Sequence, residues 1–419
     1  MCLTYILRER PVSVMVWETV VEFLASSLGS GDVVTFFIVL LAALLFPLLL
    51  RGLHIPWVIA LIVAGIFLGP SGLELVVEDP VLQFLSQIGI VFLMFMAGLE
   101  TGFDRLMSLG KESFSIGAAN GLIPFAVGVL ITLGFGYGFE AAMVVGAVFM
   151  SSSVAVVLPT LESRNMLDTE VGTTVISSTM LQDLSSLIFL GAVVHQIDEG
   201  AQLPLHLFLF FLFLSIAFLR LAIPRLERFL EYENRHIRGE GFETELRMII
   251  VILIGVVVLY ELIGLHPIVS GFLAGLFLSD LIESEEILNK IHAIGYGVFI
   301  PVFFVEVGTT FDIAALTNLR AAGALAVTII LGTTVSKYFS GYTVSRLNGF
   351  SKAESSIISS TSLPQLSTAL AVAYLGVETG ILDQNLLASV LMLSIVTTAV
   401  SPFLISKTYK WMDIEKEEA

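Results

Sequence analysis

Asp183 is the one charged residue in Val171–Val194, within the run Ser177-Ser178-Thr179-Met180-Leu181-Gln182-Asp183-Leu184-Ser185-Ser186. The flanks are apolar enough to span a bilayer, where a central aspartate costs about 2.5–3.5 kcal/mol on insertion scales. A carboxylate kept at that cost points to an ion or proton pathway. Thr179, four residues earlier, shares its helical face and offers an oxygen. Gln182 is rotated by about 100°; it either orients the site as a neutral partner or faces a neighbouring helix. Lys337 lies inside a second apolar stretch, Thr333-Thr334-Val335-Ser336-Lys337-Tyr338-Phe339, and a buried ammonium needs a partner. The candidates are Asp183 and Glu306. Glu306, in Pro301-Val302-Phe303-Phe304-Val305-Glu306-Val307-Gly308, is the other intramembrane carboxylate. It is either a second transport residue or the counter-ion of Lys337. Asn120 reads as a link between helices rather than a ligand.

The elements that carry these residues follow from composition. The 419 residues are 56% hydrophobic and 14% charged, against roughly 25% charged in soluble domains. An all-α polytopic membrane protein is expected. Charge-poor stretches fall at 33–50, 56–73, 81–99, 113–138, 141–161, 171–194, 204–223, 248–265, 266–281, 293–311, 317–345, 355–376 and 384–406, which predicts thirteen spans. His266-Pro267 marks a tight break, with Pro favourable in a first helical turn. Apart from the N-terminal tail and Lys337, one set of alternating loops holds sixteen Lys and Arg against Arg320 alone on the other. That bias places the C-terminus in the cytoplasm. The expected organisation is an N-terminal tail over 1–31, a first half over 32–223, a cytoplasmic linker over 224–247, a second half over 248–408 and a cytoplasmic tail over 409–419. Pro11–Leu28 carries Glu18 and Glu22 and is expected to be an interfacial helix or a mis-chosen start rather than a span.

The halves resemble each other at an offset near 209. Ala64-Gly65-Ile66-Phe67-Leu68-Gly69 matches Ala274-Gly275-Leu276-Phe277-Leu278-Ser279; Thr101-Gly102-Phe103-Asp104 matches Thr309-Thr310-Phe311-Asp312; Ser151-Ser152-Ser153 matches Ser360-Thr361-Ser362. The offset equals seven spans, an odd number, so the copies run in opposite directions. Inverted repeats are a signature of secondary transporters, with the binding site near the midplane. Spans five and twelve both place hydroxyl clusters mid-membrane, Ser151, Ser152 and Ser153 in one and Thr361, Ser362 and Gln365 around Pro364 in the other. They are expected to be discontinuous helices crossing near the centre, tolerated only where they line a cavity or pack inside protein. Their half-helix ends would offer partial charges to an ion. The alternative is that the serines only let helices pack closely.

Several classes are disfavoured. Cys2 is the only cysteine, so neither an intrachain disulfide nor a thiolate metal cluster can form. The six histidines show no ligand spacing. No Walker loop and no Thr-Val-Gly-Tyr-Gly filter occurs, no nucleophile–base pair is evident, and a net charge of −17 does not suggest nucleic acid.

Gly65-Ile66-Phe67-Leu68-Gly69-Pro70, the Leu181-Gln182-Asp183 centre, His266-Pro267 with Gly271 and Gly275, Phe303-Phe304 with Gly308, and Lys337 together resemble the monovalent cation:proton antiporter superfamily. The likeness is greatest to the branch of glutathione-gated potassium-efflux transporters and related sodium/proton exchangers, and it covers about 33–408. The resemblance implies thirteen helices, two crossed broken helices in a mobile core, a dimerisation domain and homodimers in the cell membrane, with no cofactor. It assigns alternate binding of cation and proton to Asp183 and the lysine of the eleventh helix to Lys337. Electrogenic relatives carry two acids at the centre, whereas the first position here is Gln182.

The expected mechanism is exchange of Na⁺ or K⁺ for H⁺, with the two competing for Asp183. Loaded with either, the site is nearly neutral and can move; empty and charged, it cannot cross easily. One central carboxylate implies one proton per cation and electroneutral transport. The rival readings are a sodium-coupled solute symporter, an ion channel and, last, a membrane enzyme.

Overall fold

The computed structural model describes residues 32–53, 56–76, 79–102, 109–162, 164, 166–167, 169–197, 204–210, 212–215, 217, 225, 244–279, 282, 284–311 and 319–418. The expected interfacial stretch Pro11–Leu28 and residues 226–243 of the expected linker lie outside them. Every regular element among the described residues is helical. In chain order they are α1 Asp32–Leu50, α2 Trp57–Leu68, α3 Pro80–Thr101, α4 Lys111–Gly134, α5 Phe139–Met150, α6 Val154–Glu162, α7 Glu170–Ile197 and α8 Leu205–Ser215. There follow α9 Thr244–Glu261, α10 Pro267–Leu278, α11 Glu285–Ile294, α12 Ile300–Thr309, α13 Leu319–Leu347, α14 Lys352–Thr361, α15 Ser367–Glu378 and α16 Gln384–Glu418. Among the described residues, seven helical stretches are long and apolar enough to cross a membrane.

Local chemistry sets the helix starts. Asp79 caps α3 by accepting from the Val81 N–H at 2.8 Å, with Pro80 in the first turn. His266 caps α10 through Nδ1, which accepts from Ile268 N–H at 3.3 Å. Ser351 and Glu354 form a reciprocal capping box on α14, which satisfies two backbone donors at once. The helix over expected span ten begins eight residues before 293, at Glu285. The expected spans left 282–292 as a loop, but Glu286 and Lys290 pair there at 2.9 Å one helical turn apart. This helix then passes through a π-helical turn, Gly295–Phe299, into α12. Pro301 in the first turn of α12 has no N–H to donate, and a π turn is a common way for a helix to absorb such a lost bond.

The order of elements runs twice. α2, α3, α4, α5, α6 and α7 are followed by α10, α11–α12, α13, α14, α15 and α16 in the same succession. The packing repeats with exchanged partners. A Cβ on Gly65 of α2 would meet the Val305 carbonyl of α12, and one on Gly308 of α12 would meet the Ile62 carbonyl of α2. Likewise Gly98 of α3 abuts the Phe272 carbonyl of α10, and Gly275 of α10 abuts the Phe95 carbonyl of α3. Gly65 corresponds to Gly275, and Gly98 to Gly308, at an offset of 210. In lipid, where apolar burial drives little helix association, such small-residue contacts supply the packing.

Both central hydroxyl clusters interrupt helices. The chain is non-helical at Ser151–Ser153, between α5 and α6, and at Leu363–Leu366, between α14 and α15.

Candidate functional site

Four half-helix ends meet at the two interruptions, and in a bilayer their exposed backbone groups need partners. Ser152 Oγ donates to the Ser362 carbonyl at 3.1 Å. Ser151 Oγ lies 2.9 Å from Gln365 Oε1, and Gln365 Nε2 donates to the Ser151 carbonyl at 2.6 Å. Gln365 N–H reaches Thr397 Oγ1 of α16 at 3.2 Å. The two breaks are thus bonded directly to each other.

Asp183 lies on α7 against this junction. Its Oδ1 accepts from Ser152 N–H at 3.0 Å, just ahead of α6. An anion is favoured at that end of a helix. Thr368 of α15 is a neighbour of the same carboxylate. Thr179, one turn earlier on α7, is buried, and its hydroxyl has no hydrogen-bond partner among the described residues; the same is true of Ser153. Two unspent hydroxyl oxygens beside a carboxylate are suitable ligands for a hard monovalent cation. Thr361 and Ser362 donate their hydroxyl protons to carbonyls of their own helix, so only their oxygen lone pairs remain available.

Lys337 of α13 is fully buried. Its Nζ donates to Gln182 Oε1 at 2.8 Å and to the Met150 carbonyl at 3.3 Å. The expected partner was a carboxylate; the bonded side chain is the neutral Gln182. Gln182 Nε2 donates to the Ser178 carbonyl at 3.0 Å, which turns Oε1 toward the ammonium. Met150 is the last residue of α5, so the lysine also sits at a helix C-terminus, the end that favours a cation. Asp183 acts on Lys337 electrostatically rather than through a hydrogen bond. Glu306 is buried on α12 and interacts electrostatically with Tyr374. Asn120 Oδ1 accepts from Ser340 Oγ at 3.1 Å, linking α4 to α13 as expected of interhelical glue.

A cavity of about 610 Å³ opens beside the junction, lined in part by Trp57, Glu100, Tyr296, Phe304, Leu366 and Ser367. Glu100 is close enough to interact electrostatically with Asp183. The sequence reading missed it because it stands just past the apolar run of α3. The available signal was its register, since Phe95-Met96-Ala97-Gly98-Leu99-Glu100-Thr101 continues the helix by more than a turn beyond Met96.

A sodium/hydrogen exchanger transmembrane family model matches residues 38–411. The chain belongs to the sodium/hydrogen exchanger family. It is 32% identical over 380 residues to the probable Na⁺/H⁺ antiporter 3 of Methanocaldococcus jannaschii, covering 89% of this chain and 96% of that one. It is 26% identical to the Na⁺/H⁺-K⁺ antiporter GerN of Bacillus cereus, over 84% of this chain and 90% of that protein. The structure of the sodium proton antiporter MjNhaP1 from Methanocaldococcus jannaschii shares the fold, with a TM-score of 0.63 at 15% identity over 92% of this chain and 96% of that one. The exchanger family and the apolar helices together make this a multi-pass membrane protein.

Proposed function

We propose that this protein exchanges Na⁺ or K⁺ for H⁺ by alternating access, with cation and proton competing for Asp183. The observation that carries the reading is the placement of a buried carboxylate at two mutually bonded helix breaks, beside buried hydroxyls with unused capacity. Neither a proton nor a bare cation can share the carboxylate with the other, and the empty, charged site is costly to move through a low-dielectric barrier. Those two restrictions couple the fluxes. The similarity to GerN, a Na⁺/H⁺-K⁺ antiporter, supports leaving the cation as either.

In this reading the chain has thirteen spans, arranged as two inverted repeats over 32–223 and 248–408 with the broken pairs α5–α6 and α14–α15 crossing. It forms a homodimer in the cell membrane, with its C-terminus in the cytoplasm. Lys337 compensates the end of α5 and keeps Gln182 in place. Glu306 is a supporting charge. Glu100 draws cations into the cavity, which opens on the cytoplasmic side. With one titrating central carboxylate the exchange is electroneutral.

The test is a pH-dye assay in proteoliposomes with Na⁺, K⁺ and Li⁺. Wild type is expected to respond to Na⁺ or K⁺, and the apparent cation affinity is expected to fall about tenfold per unit of acidification on the acid side, as competition at one site requires. Apparent affinity independent of pH across that limb would sink the shared-site mechanism. Uptake of an organic solute driven by sodium would favour the symporter reading.

A further inference from the structure

The half-helix α6 starts beside the Ser152 N–H that Asp183 accepts and ends at Glu162, two residues before Arg164. Arg164 is not a loop charge left to solvent. Its Nη2 donates to Ser406 Oγ at 2.9 Å, and its guanidinium lies 4.6 Å from the centroid of the Tyr409 ring. Both contacts are on α16. The same helix touches the other broken pair, where Thr397 Oγ1 accepts from Gln365 N–H at 3.2 Å and Ser401 Oγ donates to the Ser360 carbonyl at 2.8 Å. The Tyr409 ring packs on an apolar cluster that contains Val157 and Leu161 of α6 with Ile357 and Ile358 of α14. α16 therefore runs beside the second break, and Arg164 joins it to the far end of α6.

We infer that Arg164 is a positioning residue for the exchange reaction, holding α6 against α16 so that the Ser152 N–H stays aimed at Asp183. The inference rests on the proposed role of Asp183. α6 is a short helix held at its flank by the non-directional packing of Val157 and Leu161, and Arg164, just past its end, adds a polar contact to α16. A guanidinium that both hydrogen-bonds and covers a ring has a directional hold that an ammonium lacks. Because a helix transmits displacement along its axis, release at Arg164 is felt at Ser152, twelve residues away in sequence but one rigid element away in space. Arg164 touches neither cation nor proton.

The experiment measures cation KM and turnover in proteoliposomes for Arg164→Ala, Arg164→Lys, Tyr409→Leu and Tyr409→Phe, with Asp183→Asn as blank. Arg164→Ala and Tyr409→Leu are expected to raise cation KM about five- to tenfold with turnover within about twofold. Arg164→Lys keeps charge over the ring and recovers part of the loss, and Tyr409→Phe, which keeps the ring, matches wild type. The cation concentration for half-maximal thermal stabilisation, which reads binding without transport, should rank the variants in the same order. Wild-type KM in Arg164→Ala, a fall in turnover at constant KM, or equal damage from Tyr409→Phe and Tyr409→Leu would overturn the inference. If Arg164→Ala does not fold, the two Tyr409 variants decide it. A wild type that binds cations but moves no protons overturns the exchange reading instead, and the ranking of binding then judges Arg164 alone.

Discussion

Gly65 meets α12 and Gly98 meets α10 with no side chain between the backbones, whereas Ser151–Ser153 meets Ser362–Gln365 through hydroxyls and an amide. Both are places where one half of the chain meets the other, but they are built of opposite materials. At the glycines every backbone group is already bonded within its helix, so the contact is pure close packing and leaves nothing over for a ligand. At the breaks the backbone has left its ladders, and its groups are satisfied by side chains, from the same half at Ser152 N–H and Gln365 N–H and from the other half at the Ser151 and Ser362 carbonyls. The hydroxyls of Thr179 and Ser153 are left without a hydrogen-bond partner there among the described residues, and with the remaining capacity of the Asp183 carboxylate they are what the proposed site would offer an ion. The difference teaches that fixed framework and proposed exchange site are separated by whether helices close or break where the halves touch.

The sharpest way to break this comparison is at the carboxylate. Asp183→Asn preserves size and can still accept from Ser152 N–H, but it removes the charge for which cation and proton are proposed to compete. Exchange is expected to drop to the level of empty liposomes for every cation while the protein remains folded. Robust exchange would move the site elsewhere in the junction.

The next test is of the glycine contacts. Gly98→Ala drives a methyl group into the Phe272 carbonyl, and overpacking of this kind costs about 1–3 kcal/mol. Gly255 lies in α9 with open space around it, so Gly255→Ala is expected to be neutral or slightly stabilising, since Ala is the better helix former. Thermal unfolding in detergent should separate the two variants by a clear drop for Gly98→Ala alone. Equal midpoints would mean that backbone proximity is not what holds α3 to α10.

The candidate site was legible in the sequence where polarity stands out against an apolar background. Asp183, Lys337 and the two serine-rich breaks are costly in lipid, and Pro364 flags an interruption. The repeat was readable because Gly65 and Gly275 occupy corresponding positions for one packing reason. Features that depend on which neighbour wins a contact were not legible. Gln182 rather than a carboxylate bonds Lys337, since its amide nitrogen is held by Ser178, and no spacing encodes that choice. Glu100 escaped because a charge at a span end is ordinarily solvated, and only the fold brings α3 beside the junction. The π turn before Pro301 adjusts a ladder that hydrophobic periodicity does not resolve.

Gln182→Glu sharpens the comparison from within the junction. It gives Lys337 a charged partner at the 2.8 Å contact and sets a second acid beside Asp183. With the native amide, exchange is expected to be indifferent to an imposed membrane potential. The variant is expected to change rate more than about fivefold over 100 mV, since one net charge moved through that potential is worth about 2.3 kcal/mol. A wild type that responds to the potential as the variant does would sink the electroneutral reading.

The smallest expected effect is at the edge of the junction, at Glu100. Its carboxylate lines the cavity and acts on Asp183 electrostatically, so it is expected to contribute through its field. A negative group in a low-dielectric vestibule raises the local concentration of cations, which lowers KM without altering the step in which the site moves. Glu100→Gln is therefore expected to raise cation KM about threefold at low ionic strength, with turnover unchanged. Because a field acting along a partly hydrated path is screened by salt, the gap between variant and wild type should narrow as ionic strength is raised with a non-transported electrolyte. A change in turnover, or a KM gap that persists undiminished at high salt, would instead place Glu100 in direct contact with the ion and extend the exchangeable site beyond the broken helices.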